Sequence, residues 1–117
     1  MRQPITPTMH GVADYLSSAT FAAAPNMIRM PDTAAKLSRA LGASYAGMSA
    51  ATAYPLGAVK VIPFPAHLAA DAVVGVGLAA APWLLGFADH KPARNFFLAM
   101  AAVSAVVTSL SQRRRAA

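Results

Sequence analysis

The chain has 117 residues, 56% of them hydrophobic and 12% charged, where an ordinary soluble domain is roughly a quarter charged. It contains no cysteine, which excludes a disulfide scaffold, a thiolate zinc site and a cysteine nucleophile. It also contains no glutamate: the four acids are Asp14, Asp32, Asp71 and Asp89, set against ten Lys and Arg for a formal net charge of +6. Length allows a single domain, 1–117, and the apolar excess is carried largely by alanine.

Cutting the sequence at its charges leaves uncharged windows at 15–28, 40–59, 72–88 and 95–112. A helix that crosses a bilayer core needs about 20 apolar residues, so four spans are predicted. The first, 8–24, is the weakest, because it carries His10, Asp14, Ser17, Ser18 and Thr20. The second, 36–54, is adequate. The third, 65–87, has Asp71 near one end and Pro82 near the other, and the fourth, 93–112, is uninterrupted. A soluble four-helix bundle would show a polar face at a 3.6-residue period. In 95–111 the polar residues are Asn95, Ser104, Thr108, Ser109 and Ser111, none of them charged. A chain this short cannot bury four such helices completely, so the pattern points to lipid. Arg2 and the run Ala22-Ala23-Ala24 imitate a cleaved leader. His10 and Asp14 interrupt the apolar stretch such a leader needs, and the same Ala-Ala-Ala-Pro string recurs at Ala79-Ala80-Ala81-Pro82, so the string is assigned to the fold.

That recurrence belongs to an internal repeat. An offset of 57 residues aligns His10-x-x-x-Asp14 with His67-x-x-x-Asp71 and Ala22-Ala23-Ala24-Pro25 with Ala79-Ala80-Ala81-Pro82, and continues through Asp32 with Asp89 and Leu41 with Leu98 without a gap. The expected fold is all-α: four transmembrane helices as two parallel two-helix hairpin repeats, 5–54 and 62–111.

The segment Pro82-Trp83-Leu84-Leu85-Gly86-Phe87, closing an apolar helix in a two-span repeat that begins His-x-x-x-Asp, resembles the SPW-repeat family of small bacterial and archaeal membrane proteins. The linker from Leu56-Gly57 through Pro63-Phe64-Pro65-Ala66-His67 is similar to that family's linker. The resemblance runs from about residue 5 to 110. Ala81 stands where the family's serine would be, and the first copy, Ala24-Pro25-Asn26-Met27, has neither the serine nor the tryptophan. The resemblance implies a multi-span membrane protein and carries no biochemical activity with it.

Residues four apart share a helix face, so His10 can meet Asp14 and His67 can meet Asp71. In the plainer reading each pair is an interfacial anchor in the first two turns of its helix, the imidazole satisfying the carboxylate beside it. In the alternative the two pairs converge across a pseudo-twofold axis and bind a cation or relay protons, with zinc, nickel, manganese and iron all admissible and the metal unassigned. Pro25 and Pro82 are expected to end or kink their helices. Trp83, Tyr15 and Tyr54 are expected to be interfacial anchors, and Asp32 and Asp89 helix caps or surface ion pairs. The stripes Gly42/Ala46/Ala50, Ala43/Gly47/Ala51 and Gly75/Ala79 allow close packing within one chain or between copies in a homo-oligomer. The bilayer is the expected partner. The arginines at 113–115 read as a topology signal and a lipid contact rather than a nucleic-acid site, which places both termini in the cytoplasm of a protein of the cell membrane. Arg2, Lys60 and the arginines at 113–115 nevertheless balance Arg29, Lys36, Arg39, Lys91 and Arg94 across the two faces. No nucleophile elbow, phosphate loop or zinc-protease helix is present, and no enzyme activity or cofactor is expected. From sequence, a structural or accessory role comes first and a cation- or proton-binding or transport module second.

Overall fold

The computed structural model describes residues 3–112; Arg2 and the arginines at 113–115 lie outside them. Four helices follow in order, α1 Pro7–Met27, α2 Asp32–Ala50, α3 Phe64–Leu84 and α4 Lys91–Leu110. The described residues contain no β-strand beyond two isolated parallel bridges, Ile5 with Ser111 and Thr52 with Ile62. At 1.5 Å per residue these helices are about 28–32 Å long, close to the roughly 30 Å of a bilayer's hydrocarbon core. Two of them, α3 and α4, are long and apolar enough to cross a membrane, and the apolar window of α4 is only 11% buried. α1 and α2 are interrupted by the polar residues that lower the hydropathy of their first turns.

Local chemistry fixes where the helices begin. The Thr6 hydroxyl accepts the Met9 N–H at 3.1 Å and Pro7 occupies the first helical position, where a missing N–H costs nothing. At α4 the cap is His90, whose Nδ1 accepts the Ala93 N–H at 3.3 Å. Asp89 is therefore not the cap, and Asp32, in the first turn of α2, makes no capping bond either.

The two repeats differ at their hairpin turns. After α3, Gly86 takes a left-handed φ of 79° and the Phe87 N–H returns to the Pro82 carbonyl at 2.8 Å, a Schellman stop that glycine reaches without a Cβ clash. Phe87 then folds inward against Phe97, ring centroids 5.1 Å apart. The tryptophan-bearing motif of the sequence is thus a helix stop, with Trp83 itself exposed. α1 has no such glycine: Ile28 N–H bonds Ala24 O at 2.7 Å and the chain leaves extended. The turn 85–90 is two residues longer than 28–31, so α1 and α3 match at an offset of 57 but α2 and α4 match at 59. The gapless alignment is corrected accordingly. Asp32 corresponds to Lys91 rather than Asp89, and Leu41 to Met100 rather than Leu98.

Pro25 and Pro82 are not the last residues of their helices; each sits in a last turn that runs two residues further. Pro25 leaves the Phe21 carbonyl without its intrahelical donor, and the Ser38 hydroxyl of α2 supplies one at 2.7 Å. Around this end of the molecule Phe21, Ala34, Leu78, Ala81, Phe87, Ala93 and Phe97 form the main apolar core. The opposite end gathers the described chain ends and the central loop, with Tyr54, Phe64 and Leu68 as a second cluster. Both α1 and α3 start there, so the hairpins run parallel.

α1 lies tightly on α2. A Cβ built on Gly42 would come within 2.9 Å of the Ala22 nitrogen and the Ser18 carbonyl, and the Ser18 hydroxyl donates to Gly42 O at 2.7 Å. The first small-residue stripe therefore joins helices within the chain, whereas Ala43 and Gly47 face outward. Gly42→Ala should wedge the helices apart and lower stability by about 1–3 kcal/mol. Gly77→Ala, which meets nothing within 4 Å, should raise it by up to about 1 kcal/mol. Thermal unfolding followed by circular dichroism in detergent checks both; equal shifts would contradict the close approach.

Candidate functional site

His10 and Asp14 stand one turn apart on α1, and His67 and Asp71 occupy the matching places on α3. Because the two helices start at the same end and are related by the repeat, equivalent atoms lie at equal depth. Each imidazole therefore meets the carboxylate of the other repeat. His10 Nε2 is 2.8 Å from Asp71 Oδ2, and His67 Nε2 is 2.9 Å from Asp14 Oδ2. The within-helix distances are longer, 3.3 Å for His10 to Asp14 and 3.2 Å for His67 to Asp71. Two nitrogens and two oxygens thus alternate around a closed ring, and all four residues are buried, none more than 6% exposed.

The expectation of two separate interfacial anchors does not describe this arrangement. The sequence reading satisfied each carboxylate from its own helix, but the closest partner of each is across the repeat boundary. Asp14 and Asp71 also sit seven residues into their helices, about 10 Å from the start, and face protein rather than solvent.

A second set of residues holds the imidazoles. Ser111 Oγ lies 2.6 Å from His10 Nδ1, and Thr52 Oγ1 lies 2.6 Å from His67 Nδ1. Both hydroxyls are placed by the parallel bridges, in which Ile5 N–H donates to Leu110 O at 3.0 Å and Ile62 N–H to Ala51 O at 2.8 Å. Each hydroxyl also gives its single proton to the carbonyl four residues back, Ser111 to Val107 and Thr52 to Met48. Towards the imidazoles they are then acceptors, so both Nδ1 atoms carry hydrogen and both Nε2 atoms face the carboxylates. Two carboxylates opposed by two such nitrogens form a place that holds about two positive charges: one N–H proton on each Nε2, or one divalent cation between them.

Tyr54 closes the ring on the side of the central loop. It is fully buried, not the interfacial anchor expected from sequence, and its hydroxyl donates to Asp14 Oδ2 at 3.2 Å. Burial holds its phenol well above the usual tyrosine range, so it remains a donor. Phe64 meets His10 edge-on at 5.2 Å and packs on Tyr54 at 5.6 Å. Thr52, Ser111 and Phe64 were not recognised as site residues from sequence. The signal for the hydroxyls was present, because Thr52 and Ser111 fall into register once the two-residue difference between the hairpin turns is allowed.

Cavities approach the cluster from more than one side. One of about 180 Å³ lies between α2 and α3 and is lined by Ser44, Tyr45, Ser49, His67 and Asp71 among others. A groove of about 440 Å³ runs between α3 and α4, with Asp71, Ser104, Thr108 and Ser109 as its polar residues in an otherwise apolar lining of alanines, Gly75 and Val76. Pro25, Pro82, Gly86 and Phe87 belong to the other end of the molecule and take no part.

Compared with known protein families, with characterised proteins and with solved structures, the chain matches none.

The ring geometry makes the cross-repeat pairs the stronger ones. In double-mutant cycles on unfolding free energy, His10/Asp71 and His67/Asp14 should couple towards the upper part of the roughly 0.5–3 kcal/mol range for contacting residues, and His10/Asp14 clearly less. Equal or larger coupling within the helix would contradict the cross-repeat assignment.

Proposed function

We propose that this chain is a small four-span protein of the cell membrane, with both termini cytoplasmic, whose buried His10, Asp14, His67 and Asp71 form a cation- or proton-binding module. The single observation that carries the reading is the closed ring of two imidazoles and two carboxylates between the repeats. The chain has only four acids and commits two of them to its interior. Ionisable residues at such depth are costly, by about 2.5–3.5 kcal/mol each on insertion scales, and mark ion or proton sites in membrane proteins.

Several features support the membrane setting. The described surface of the helices is rich in large apolar side chains, among them Leu16, Val73, Val76, Val103 and Val106, where a soluble core helix would be covered. α1 and α2 are hairpin partners of nearly the same length as the two strongly apolar helices. The resemblance to the SPW-repeat family points the same way.

The cavities beside the cluster favour an ion site over a purely structural clasp, since a clasp needs no opening next to its carboxylates. The α1–α2 hairpin is sealed at Gly42, while the α3–α4 hairpin is grooved down to Asp71. The clasp keeps one observation in its favour: all four ring atoms already have partners.

Thermal stability of the detergent-purified protein separates the two, because a ligand that binds only the folded state stabilises it by mass action. The midpoint difference between wild type and Asp14→Asn/Asp71→Asn should change with added divalent metal or across about pH 5 to 8. Midpoints that stay a constant distance apart under every condition would leave the cluster a clasp.

A further inference from the structure

We infer that the His10, Asp14, His67 and Asp71 side chains are a four-coordinate, tetrahedral N₂O₂ site for one divalent cation of the zinc and cobalt class, with Thr52 and Ser111 as the hydroxyls that orient its imidazoles. This rests on the cation reading of the same cluster and narrows it.

The donor set selects the class. Magnesium and calcium want six or more oxygens, whereas two imidazole nitrogens with two carboxylates suit zinc, cobalt and their neighbours. The distances fit as well. Metal–ligand bonds of about 2.0–2.1 Å at tetrahedral angles put neighbouring ligand atoms roughly 3.3–3.4 Å apart. The two within-helix edges are already 3.3 and 3.2 Å. The cross-repeat edges, 2.8 and 2.9 Å, would open by about half an ångström, and the diagonals of the ring, which lie within 4.8 Å, would close towards the same value as a cation draws the four atoms in. The imidazole planes cross at 86°, so the rings approach the centre from different directions rather than stacked.

The surroundings have the form of a metal site's outer shell. A ligating histidine characteristically gives its second N–H to an oxygen that fixes the tautomer and the ring orientation. Here both do so, to Ser111 and Thr52, whose own protons are committed to Val107 and Met48 carbonyls. Asp14 is likewise held by the Tyr54 hydroxyl. Two neutral imidazoles and two carboxylates carry a charge of about −2, which one divalent cation balances. Four protein ligands leave no open coordination position, which is the pattern of a holding site and not of a hydrolytic one.

The test uses the full chain in detergent, stripped with a chelator and titrated with Co²⁺, whose tetrahedral complexes absorb strongly in the visible region while octahedral ones are pale. The expected result is an intense band saturating at one Co²⁺ per chain, displaced by Zn²⁺ and indifferent to excess Mg²⁺. It should be absent from Asp14→Asn/Asp71→Asn. Because that variant can fail to fold, Thr52→Val/Ser111→Ala is the second probe: it should keep the tetrahedral band but bind about 10–100-fold more weakly. A pale spectrum, or no saturable binding to folded wild type, overturns the inference. If the stability difference between wild type and the Asn variant still varies with pH, the broader reading survives that result, with protons as the occupant; if it does not, both fall. Undiminished affinity in Thr52→Val/Ser111→Ala would overturn the orienting role of the hydroxyls.

Discussion

The structure turns on four contacts between two histidines and two aspartates, each imidazole shared between the carboxylate on its own helix and the one in the other repeat. Small side chains such as Gly42 and Ala22 join helices within a hairpin, while Phe21 and Ala34 of the first hairpin pack with Leu78, Phe87 and Phe97 of the second. The repeats are joined at one end by that core and at the other by the His–Asp ring with the two short bridges that deliver Thr52 and Ser111 to it. Removing one member would leave a buried, uncompensated partner, a larger loss than the ring's net contribution when intact.

The symmetry of the ring contrasts with the asymmetry elsewhere. One hairpin turn is closed by Gly86 and Phe87, the other by an extended exit at Ile28. One proline's orphaned carbonyl is capped by Ser38, whereas Phe97 occupies the matching place on α4 and feeds the aromatic core instead. These differences lie at the hairpin end, and they cost two residues of register that the ring never feels. Its histidines and aspartates sit on α1 and α3, which keep the 57-residue offset, and its hydroxyls sit beyond the ends of α2 and α4, where the bridges restore alignment. The first hairpin is sealed where Gly42 meets Ser18 and Ala22, and the second is grooved as far as Asp71.

Much of this was legible in the chain. Four helices, the hairpin order, the parallel repeat and the repeated pairing of His10 with Asp14 and His67 with Asp71 all follow from charge spacing and self-alignment. What the sequence concealed was tertiary. A period of four residues states that His10 can reach Asp14, and nothing local states that Asp71 is nearer. Tyr54 looked like an anchor because tyrosine at the edge of an apolar run usually is one, and only the packing of the central loop against Phe64 takes it inside. Thr52 and Ser111 were hidden by a gapless alignment that paired Thr52 with Ser109. The tryptophan motif was visible, but its physical content, a left-handed glycine and a returning N–H, is backbone geometry. The hydropathy of α1 is lowered by His10 and Asp14 together with Ser17, Ser18 and Thr20, and that of α2 by Asp32, Lys36 and Arg39 in its first half.

The most direct test of the cross-repeat ring is solid-state NMR on histidine- and aspartate-labelled protein in lipid bilayers, reading through-space contacts between imidazole nitrogens and carboxyl carbons. The account predicts that His10 Nε2 correlates with Asp71 and His67 Nε2 with Asp14 at least as strongly as with the aspartate on the same helix. Contacts confined to His10 with Asp14 and His67 with Asp71 would contradict it.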